Sequence, residues 1–342
     1  MTECFTHEGI LRNDALRAER PKARAIRCIA TGYDQPDTLA RMAETPSATP
    51  RRVFDGIISG LSAAAIWGGM YVVSRVVLDE IPPVTLVLVR LILGTATLAV
   101  VARASGTAMP SRHDLPALAT LGLVGMCISL IAQFAGTHLA GAANGSLITS
   151  ATPAFMLLFA WPILGARPSI RQVVSLVLAT GGVLIVTFGD TDPVATADGT
   201  PIVGNLLLLV AAITWALYSV LGGRSSARHG SLVTTAFATG TGAIFCAPLA
   251  VWELQTTPVG DVAWGTILGI AYLGVVSTAG AFYLWNRSID RVGAAIPGLL
   301  FFAQPVVGGL LGATLLGEHL GATFFAGGVL VAVAVILGLR DA

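Results

Sequence analysis

An all-α membrane protein of ten transmembrane helices, built as two inverted five-helix repeats, is the fold class this sequence predicts. Three observations predict it. Only 11% of the 342 residues are charged while 54% are apolar, with a mean hydropathy of +0.78, far from the balance of a soluble chain of this size. Apolar stretches of about 20 residues, long enough to cross a bilayer as helices, follow one another from Val53 onward. Finally, a stretch of sequence occurs twice: an offset of 152 residues pairs Gly141 with Gly293, Ala142 with Ala294, Pro153 with Pro305 and Leu164-Gly165 with Leu316-Gly317. Extended backwards, it pairs Leu121-Gly122 with Leu273-Gly274.

In chain order the apolar segments fall at 53–76, 84–103, 116–137, 142–163, 169–188, 202–222, 231–252, 263–285, 292–314 and 320–339. They divide into a first repeat over 53–190 and a second over 201–340. The opening helices of the two halves share a pattern, Ala64-Ala65-Ile66-Trp67 against Ala211-Ala212-Ile213-Thr214-Trp215. The duplicated copies lie an odd number of segments apart, so they face opposite ways across a membrane. Gly56 and Gly60, like Gly308 and Gly312, form small-residue pairs that let helices approach closely. Abundant glycine, 39 residues, fits the same packing.

Residues 1–52 differ from the rest. They hold nine of the twenty Lys and Arg residues and no apolar run long enough for a signal peptide. The segment reads as a disordered cytoplasmic tail, or as an upstream extension of a chain whose natural start is Met42. With the tail inside, the inward ends carry Arg51, Arg52, Arg103, Arg112, Arg167, Arg171, Arg224, Arg228, Arg287, Arg291 and Arg340, and the outward loops only Arg75. The outward loops hold acids instead: Asp79, Glu80, Asp190, Asp192, Asp198, Glu253, Asp261 and Glu318. The positive-inside bias therefore places both termini in the cytoplasm. It also agrees with inversion: the loop 164–171 carries Arg167 and Arg171, whereas its counterpart 316–323 carries Glu318-His319.

Composition and motifs exclude several classes. A net charge of +1 gives no nucleic-acid signature. Cys4, Cys28, Cys127 and Cys246 lack metal or redox spacing. There is no P-loop, no dinucleotide fingerprint and no histidine pair at metal spacing on one helix, so neither an enzyme nor a cofactor is expected. Inverted repeats are a construction plan of secondary transporters that rock around a central site.

The residues that carry a family resemblance are Trp67-Gly68-Gly69, Arg90-Leu91, Ala142-Ala143-Asn144-Gly145-Ser146-Leu147, Gln304-Pro305 and Leu315-Leu316-Gly317-Glu318. In this order and on these helices the chain resembles the drug/metabolite transporter superfamily, in its EamA-like branch, over about residues 53–340. That resemblance implies ten helices in two repeats, cytoplasmic termini, a bacterial inner-membrane location, and export of small metabolites of the amino-acid or purine-like class. It departs from the family at Gln304, where a glutamate often precedes the proline, and at Gly165-Ala166, where Gly-Glu is common. The first departure removes a membrane-embedded carboxylate and puts proton coupling in doubt.

Polar groups in lipid are costly and mark partners or cavities. Arg90, in the second helix, reads as an anion contact within a cavity, or as a snorkelling or structurally paired arginine. Asn144 and Ser146 open the fourth helix, whose free amides favour an anionic group; helix capping is the alternative. Gln304 and, less so, Gln133 are candidates to orient a polar substrate, Gln304 because Pro305 frees a carbonyl in the preceding turn. Trp67 and Tyr71 share a helix face, and with Trp215 and Tyr218 they are candidate aromatic walls of the cavity, packing or interfacial anchoring being the alternative. Trp285 and Asn286 read as interfacial residues at the inner end of the eighth helix, and His138 as a surface residue. No Asp or Glu falls in the middle of a helix, which favours an exchanger or facilitator. The expected protein is a secondary transporter working by alternating access on a small molecule; a multidrug exporter and a non-transporting polytopic protein are the rivals. Its partners are the substrate and the bilayer, with a homodimer left open.

Overall fold

The computed structural model describes residues 50–164, 169–188, 201–293, 295–301 and 303–339. Most of the N-terminal tail, Arg167, Arg340, Gly165-Ala166 and the acids at 190–198 lie outside the described residues. Helices make up nearly all of what is described, and no strand occurs among the described residues. They are α1 (Pro50–Val77), α2 (Pro83–Ala104), α3 (Leu115–Ala140), α4 (Ala142–Thr149), α5 (Thr152–Leu164) and α6 (Ile170–Phe188). Then follow α7 (Pro201–His229), α8 (Ser231–Thr256), α9 (Trp264–Val292), α10 (Ala295–Leu300), α11 (Ala303–Leu315) and α12 (Ala322–Leu339). Among the described residues, seven spans are long and apolar enough to cross a membrane: α1, α2, α3, the α4–α5 pair, α7, α8 and α9. Shorter apolar stretches lie in α6, α11 and α12.

The distribution of side chains is that of a protein solvated by lipid. Ile244, Val100, Leu268 and Trp264 are exposed, while Arg90, Ser146, Thr234, Thr278 and Asn286 are completely buried. Such exposed apolar surface would aggregate in water; against acyl chains it is the ordinary exterior. Many of the buried hydroxyls donate to a carbonyl one turn back, as Thr239 does to that of Thr235 at 2.9 Å.

Two kinds of irregularity occur twice. A π-helical segment runs over Gly122–Ile128 within α3 and another over Tyr272–Gly280 within α9. A helix interruption separates α4 from α5 and another separates α10 from α11. Proline causes the interruptions. Pro153 and Pro305 cannot donate to the residue four positions earlier and their rings crowd its carbonyl; those residues are Thr149 and Phe301. The Thr149 carbonyl is recovered by the Thr152 hydroxyl, 2.6 Å away, and that of Phe301 by the Gln304 amide at 3.0 Å. Ahead of each interrupted segment the chain turns at Gly141 (φ 88°) and Gly293 (φ 75°), a backbone region that favours glycine.

Packing is equally paired. α1 packs on α9 and α11, whereas α7 packs on α3 and α5; α2 meets the π segment of α9, whereas α8 meets that of α3. Glycines permit the close approaches. A Cβ at Gly56 would fall 2.7 Å from Val292 of α9, and one at Gly308 would fall 2.6 Å from Ser146 of α4. Both small-residue pairs read from the sequence thus serve helix contact, as expected.

The acids read as outward-loop charges have a structural task. Glu253 accepts from the backbone amides of Val84 (3.0 Å) and Thr85 (2.7 Å), capping α2. Glu80 accepts from the Ala263 amide (3.0 Å) and the Thr266 hydroxyl (2.6 Å), capping α9. Glu318, 6% exposed, accepts from the amides of Ala142 (2.7 Å) and Ala143 (2.8 Å), capping α4. Each carboxylate lies far away in sequence from the helix it caps, so each cap is also a tertiary tie. At the opposite ends of α1 and α9, Asp55 receives Arg287 at 2.8 Å and Arg291 at 2.6 Å. Asp114, before α3, pairs with Arg228 of α7 at 3.1 Å.

Two outcomes follow for stability. Glu318→Ala strips two charge-assisted hydrogen bonds from buried amides and should destabilise by about 2–3 kcal/mol, read as a lower midpoint of thermal unfolding in detergent; an unchanged midpoint would show that α4 does not need this cap. The Ser111 hydroxyl, followed by the Arg228 and His229 charges, holds the Asp114 carboxyl below the usual range. A depressed carboxylate contributes stability above its unfolded pKa of about 4, and that contribution is lost as pH falls through its lower folded value. Asp114→Asn should therefore flatten the loss of stability on acidification below about pH 4, which unfolding midpoints across pH 3–6 would record.

Candidate functional site

The two helix interruptions meet at one cavity. Thr149 and Thr152 from the first interruption, and Phe301 and Gln304 from the second, line it. The offset of 152 residues pairs Thr149 with Phe301 and Thr152 with Gln304. Trp67 and Met70 of α1, Ser129, Leu130 and Gln133 of α3, Ala211 and Trp215 of α7 and Phe282 of α9 complete the wall. The cavity has room for about one water molecule, too little for a metabolite in this conformation.

One side of the cavity is a polar network centred on the Tyr71 hydroxyl. That hydroxyl shares a 2.6 Å hydrogen bond with Thr149 Oγ1 and receives the side-chain amides of Gln133 and, at 3.2 Å, of Gln304. Gln304 Nε2 also donates to Thr149 Oγ1 at 2.8 Å. Tyr71 and Gln304 are buried. Gly145 makes this possible: a Cβ there would fall 2.7 Å from the Tyr71 ring.

The other side is aromatic. Trp67 sits at the centre of a cluster, with ring centroids 5.4 Å from Trp215, 5.4 Å from Phe282, 5.6 Å from Trp285 and 5.9 Å from Phe301. Edge and tilted geometries of this kind suit ring quadrupoles. Trp67 donates its indole N–H to the Ser277 carbonyl at 3.1 Å. Trp215 stacks on Tyr218 at 4.6 Å, and its own indole N–H is buried without a partner among the described residues.

The two sides occupy corresponding places. Alignment of Trp67 with Trp215 sets Tyr71 against Ser219, and the repeat offset sets Gln133 against Trp285. Gln133 donates to Tyr71; at the matching place Trp285 Nε1 donates to Ser219 Oγ at 3.3 Å. The architecture of the contact is kept while its chemistry changes from amide and phenol to indole and hydroxyl.

Of the residues singled out in the sequence, Trp67, Gln133, Trp215 and Gln304 line the cavity and Tyr71 is the hub beside it. Tyr218 stands behind Trp215, its hydroxyl receiving Asn286 Nδ2 at 3.1 Å. Arg90 is one layer away, against Met70 and the hydroxyls of Ser277 and Thr278. Asn144 and Ser146 do not border this cavity. Asn144 reaches Asn205 of α7 at 3.4 Å and Ser146 bonds the Ala143 carbonyl at 2.9 Å. The α4 amides expected to attract an anion hold one already, the Glu318 carboxylate. Trp285 and Asn286 are fully buried rather than interfacial, because α9 continues to Val292. His138 lies in the last turn of α3, half-buried rather than on the surface. Thr149, Thr152, Met70, Phe282 and Phe301 had no reading as site residues. The position four residues before each proline would have pointed to Thr149 and Phe301.

No residue lining the cavity among those described is acidic or basic, and no group of His, Cys, Asp and Glu among the described residues has the arrangement of a metal site. The arrangement suits holding a small molecule by hydrogen bonds on one side and ring contact on the other.

Comparison with known proteins gives the same class. Residues 55–188 and 202–340 each match the model of the EamA-like transporter family. An uncharacterized transporter of Archaeoglobus fulgidus is 24% identical over 242 residues, covering 70% of this chain and 82% of the relative. A probable terminal-alkyne amino-acid exporter of Streptantibioticus cattleyicolor is 26% identical over 255 residues, covering 74% of this chain and 82% of the relative. A chain of known crystal structure shares the fold with a TM-score of 0.59 at 20% identity, covering 82% of this chain and 95% of that one. With two family matches spanning nearly all of the helical region, a membrane-length helical fold and a cavity between its interrupted helices, this chain belongs to the EamA-like transporter family and is a multi-pass membrane transporter.

Proposed function

We propose that the protein is a secondary transporter that exports a small amphipathic metabolite, of the amino-acid or purine-like class, by alternating access across a bacterial inner membrane. The observation that carries this reading is the two-sided cavity: amides and hydroxyls of Gln133, Gln304, Tyr71 and Thr149 on one side, the rings of Trp67, Trp215, Phe282 and Phe301 on the other. A molecule with a hydrogen-bonding end and a flat or branched apolar end satisfies both. The name of the Streptantibioticus relative, an amino-acid exporter, points the same way.

Alternating access accounts for the closed cavity. The space is too small for a metabolite, so loading requires the walls to separate. The supporting features are the ten helices read as two inverted five-helix repeats over 53–190 and 201–340, the matched interruptions at Pro153 and Pro305, and the exchange of packing partners between α1 and α7. Two similar halves rocking about a shared site would expose it first to one side and then to the other. Both termini are taken as cytoplasmic on the arginine bias. The aromatic wall also suits bulky cationic drugs, and a broad substrate range would favour that second reading.

Metabolites released by cells expressing the protein, compared with cells carrying an empty vector, should include one compound or chemical class in excess. No difference across a broad panel would remove export. Trp67→Ala and Gln304→Ala should each keep the protein in the membrane while lowering transport kcat/KM about tenfold, the equivalent of about 1.4 kcal/mol; unchanged kinetics in both would remove these residues from the site. Cysteines at Arg51 and Arg224 should react with impermeant reagents only after the membrane is opened, and labelling of intact cells would reverse the topology.

A further inference from the structure

Arg90 is the buried charge that the cavity described above does not use. Its side chain is completely buried in α2, and among the described residues no carboxylate pairs with it. Its partners are neutral. Nε donates to Thr278 Oγ1 at 2.8 Å, one terminal nitrogen donates to Ser277 Oγ at 3.2 Å, and the other meets the Met70 sulfur at 3.4 Å. The guanidinium carbon lies 4.7 Å from the Phe134 ring centroid and 5.8 Å from that of Phe282. A guanidinium has five donors in a planar fork that matches a carboxylate. A thioether is a weak acceptor on a flexible stem. The donor aimed at Met70 is therefore the least satisfied part of a costly buried charge.

The surroundings aim this group at the cavity. Met70 and Phe282 touch Arg90 and also line the cavity, so a single side chain separates the guanidinium from it. Ser277 and Thr278 belong to the π segment of α9, and the Ser277 carbonyl holds the Trp67 indole in the cavity wall. Gly94 brings α2 against this segment, where a Cβ would fall 2.5 Å from Thr278. π segments inside helices are frequent at functional sites.

We propose that Arg90 is the carboxylate-recognising point of the transport pathway, and that the Met70 thioether occupies that point in the closed state until the carboxylate of a substrate displaces it. This rests on the transporter reading above and narrows it to substrates bearing a carboxylate, held by the Arg90 fork with the Ser277 and Thr278 hydroxyls beside it. Met70 swings aside on its three rotatable bonds, and the apolar end of the substrate then lies against Trp67 and Phe282.

Two measurements test the proposal separately from the transporter reading. Purified Met70→Ala protein, with the space beside Arg90 vacated, should melt higher in sodium acetate than in acetamide or sodium chloride at matched ionic strength. The difference should vanish in Met70→Ala/Arg90→Gln. Equal melting in all three solutions overturns the carboxylate site. In proteoliposomes loaded with amino acids and their carboxamides, the wild-type protein should release at least one acid several-fold faster than its carboxamide, and Arg90→Gln should level the pair. Equal release of acid and carboxamide by the wild type, or an Arg90→Gln variant slowed equally for both, makes Arg90 a structural tie between α2 and α9. Acetate stabilisation without release of any compound would overturn the transporter reading and leave the carboxylate site standing.

Discussion

A backbone carbonyl or amide left unpaired inside lipid costs several kcal/mol, and the site of this protein is arranged around two places where proline creates that problem. Pro153 and Pro305 free the carbonyls of Thr149 and Phe301, and the chain answers with the Thr152 hydroxyl and the Gln304 backbone N–H. Those repairs bring four residues to the edge of one cavity. The interrupted helices also need new N-terminal partners. For α4 the partner is Glu318, which arrives from the loop after α11 and so ties the start of the first interrupted segment to the end of the second. Glu80, in the turn after α1, and Glu253, in the last turn of α8, solve the same problem for α9 and α2. Three acids that look from sequence like part of a charge bias, Glu80, Glu253 and Glu318, are helix caps in the fold.

The site combines a repeated scaffold with unrepeated chemistry. Matched glycine turns, matched interruptions and matched π segments hold corresponding residues in corresponding places. At those places the first half presents Tyr71, Gln133 and Thr149, and the second presents Ser219, Trp285 and Phe301. A symmetric cavity would favour a symmetric ligand. Polar groups gathered on one side and rings on the other favour a molecule with two unlike ends, and give it one preferred orientation.

Much of this could be read from the chain, and the misses share a cause. Trp67, Trp215, Tyr71 and Gln304 were legible because aromatic and amide side chains are conspicuous in apolar helices. Gln133, ranked lower in sequence, proves to be as central as Gln304. Thr149 and Phe301 hide among ordinary helix residues, since their importance comes from a proline four positions later. Trp285 and Asn286 were misplaced because the apolar pattern ends near residue 285 while the helix runs to Val292, its last turns held by buried contacts such as Ser288 to the Gly56 carbonyl at 2.7 Å. The π segments have no local signature; the tight contact of Gly122 with α8 and of Gly274 with α2 is tertiary. Asn144 and Ser146 were read for the anion-attracting end of a helix, and the reading overlooked that a residue in a distant loop supplies the anion.

Gln304 in place of an acid has a consequence for how the cavity behaves. The network of Gln133, Gln304, Thr149 and Tyr71 is made of neutral donors and acceptors. An amide does not change charge between pH 5 and 8, so neither closing the cavity nor opening it requires the network to take up or lose a proton. A carboxylate at position 304 would have had to be neutralised or paired each time the site closed to the size of one water, because a buried unpaired charge is strongly disfavoured. Under the proposed alternating access, the amide lets the closed state be reached without that step. The charge near the cavity is instead Arg90, of fixed sign and set one layer behind Met70. If Arg90 recognises a carboxylate as proposed, charge enters the cavity with the substrate, and the energetic asymmetry between the empty and loaded states lies in how that charge is met.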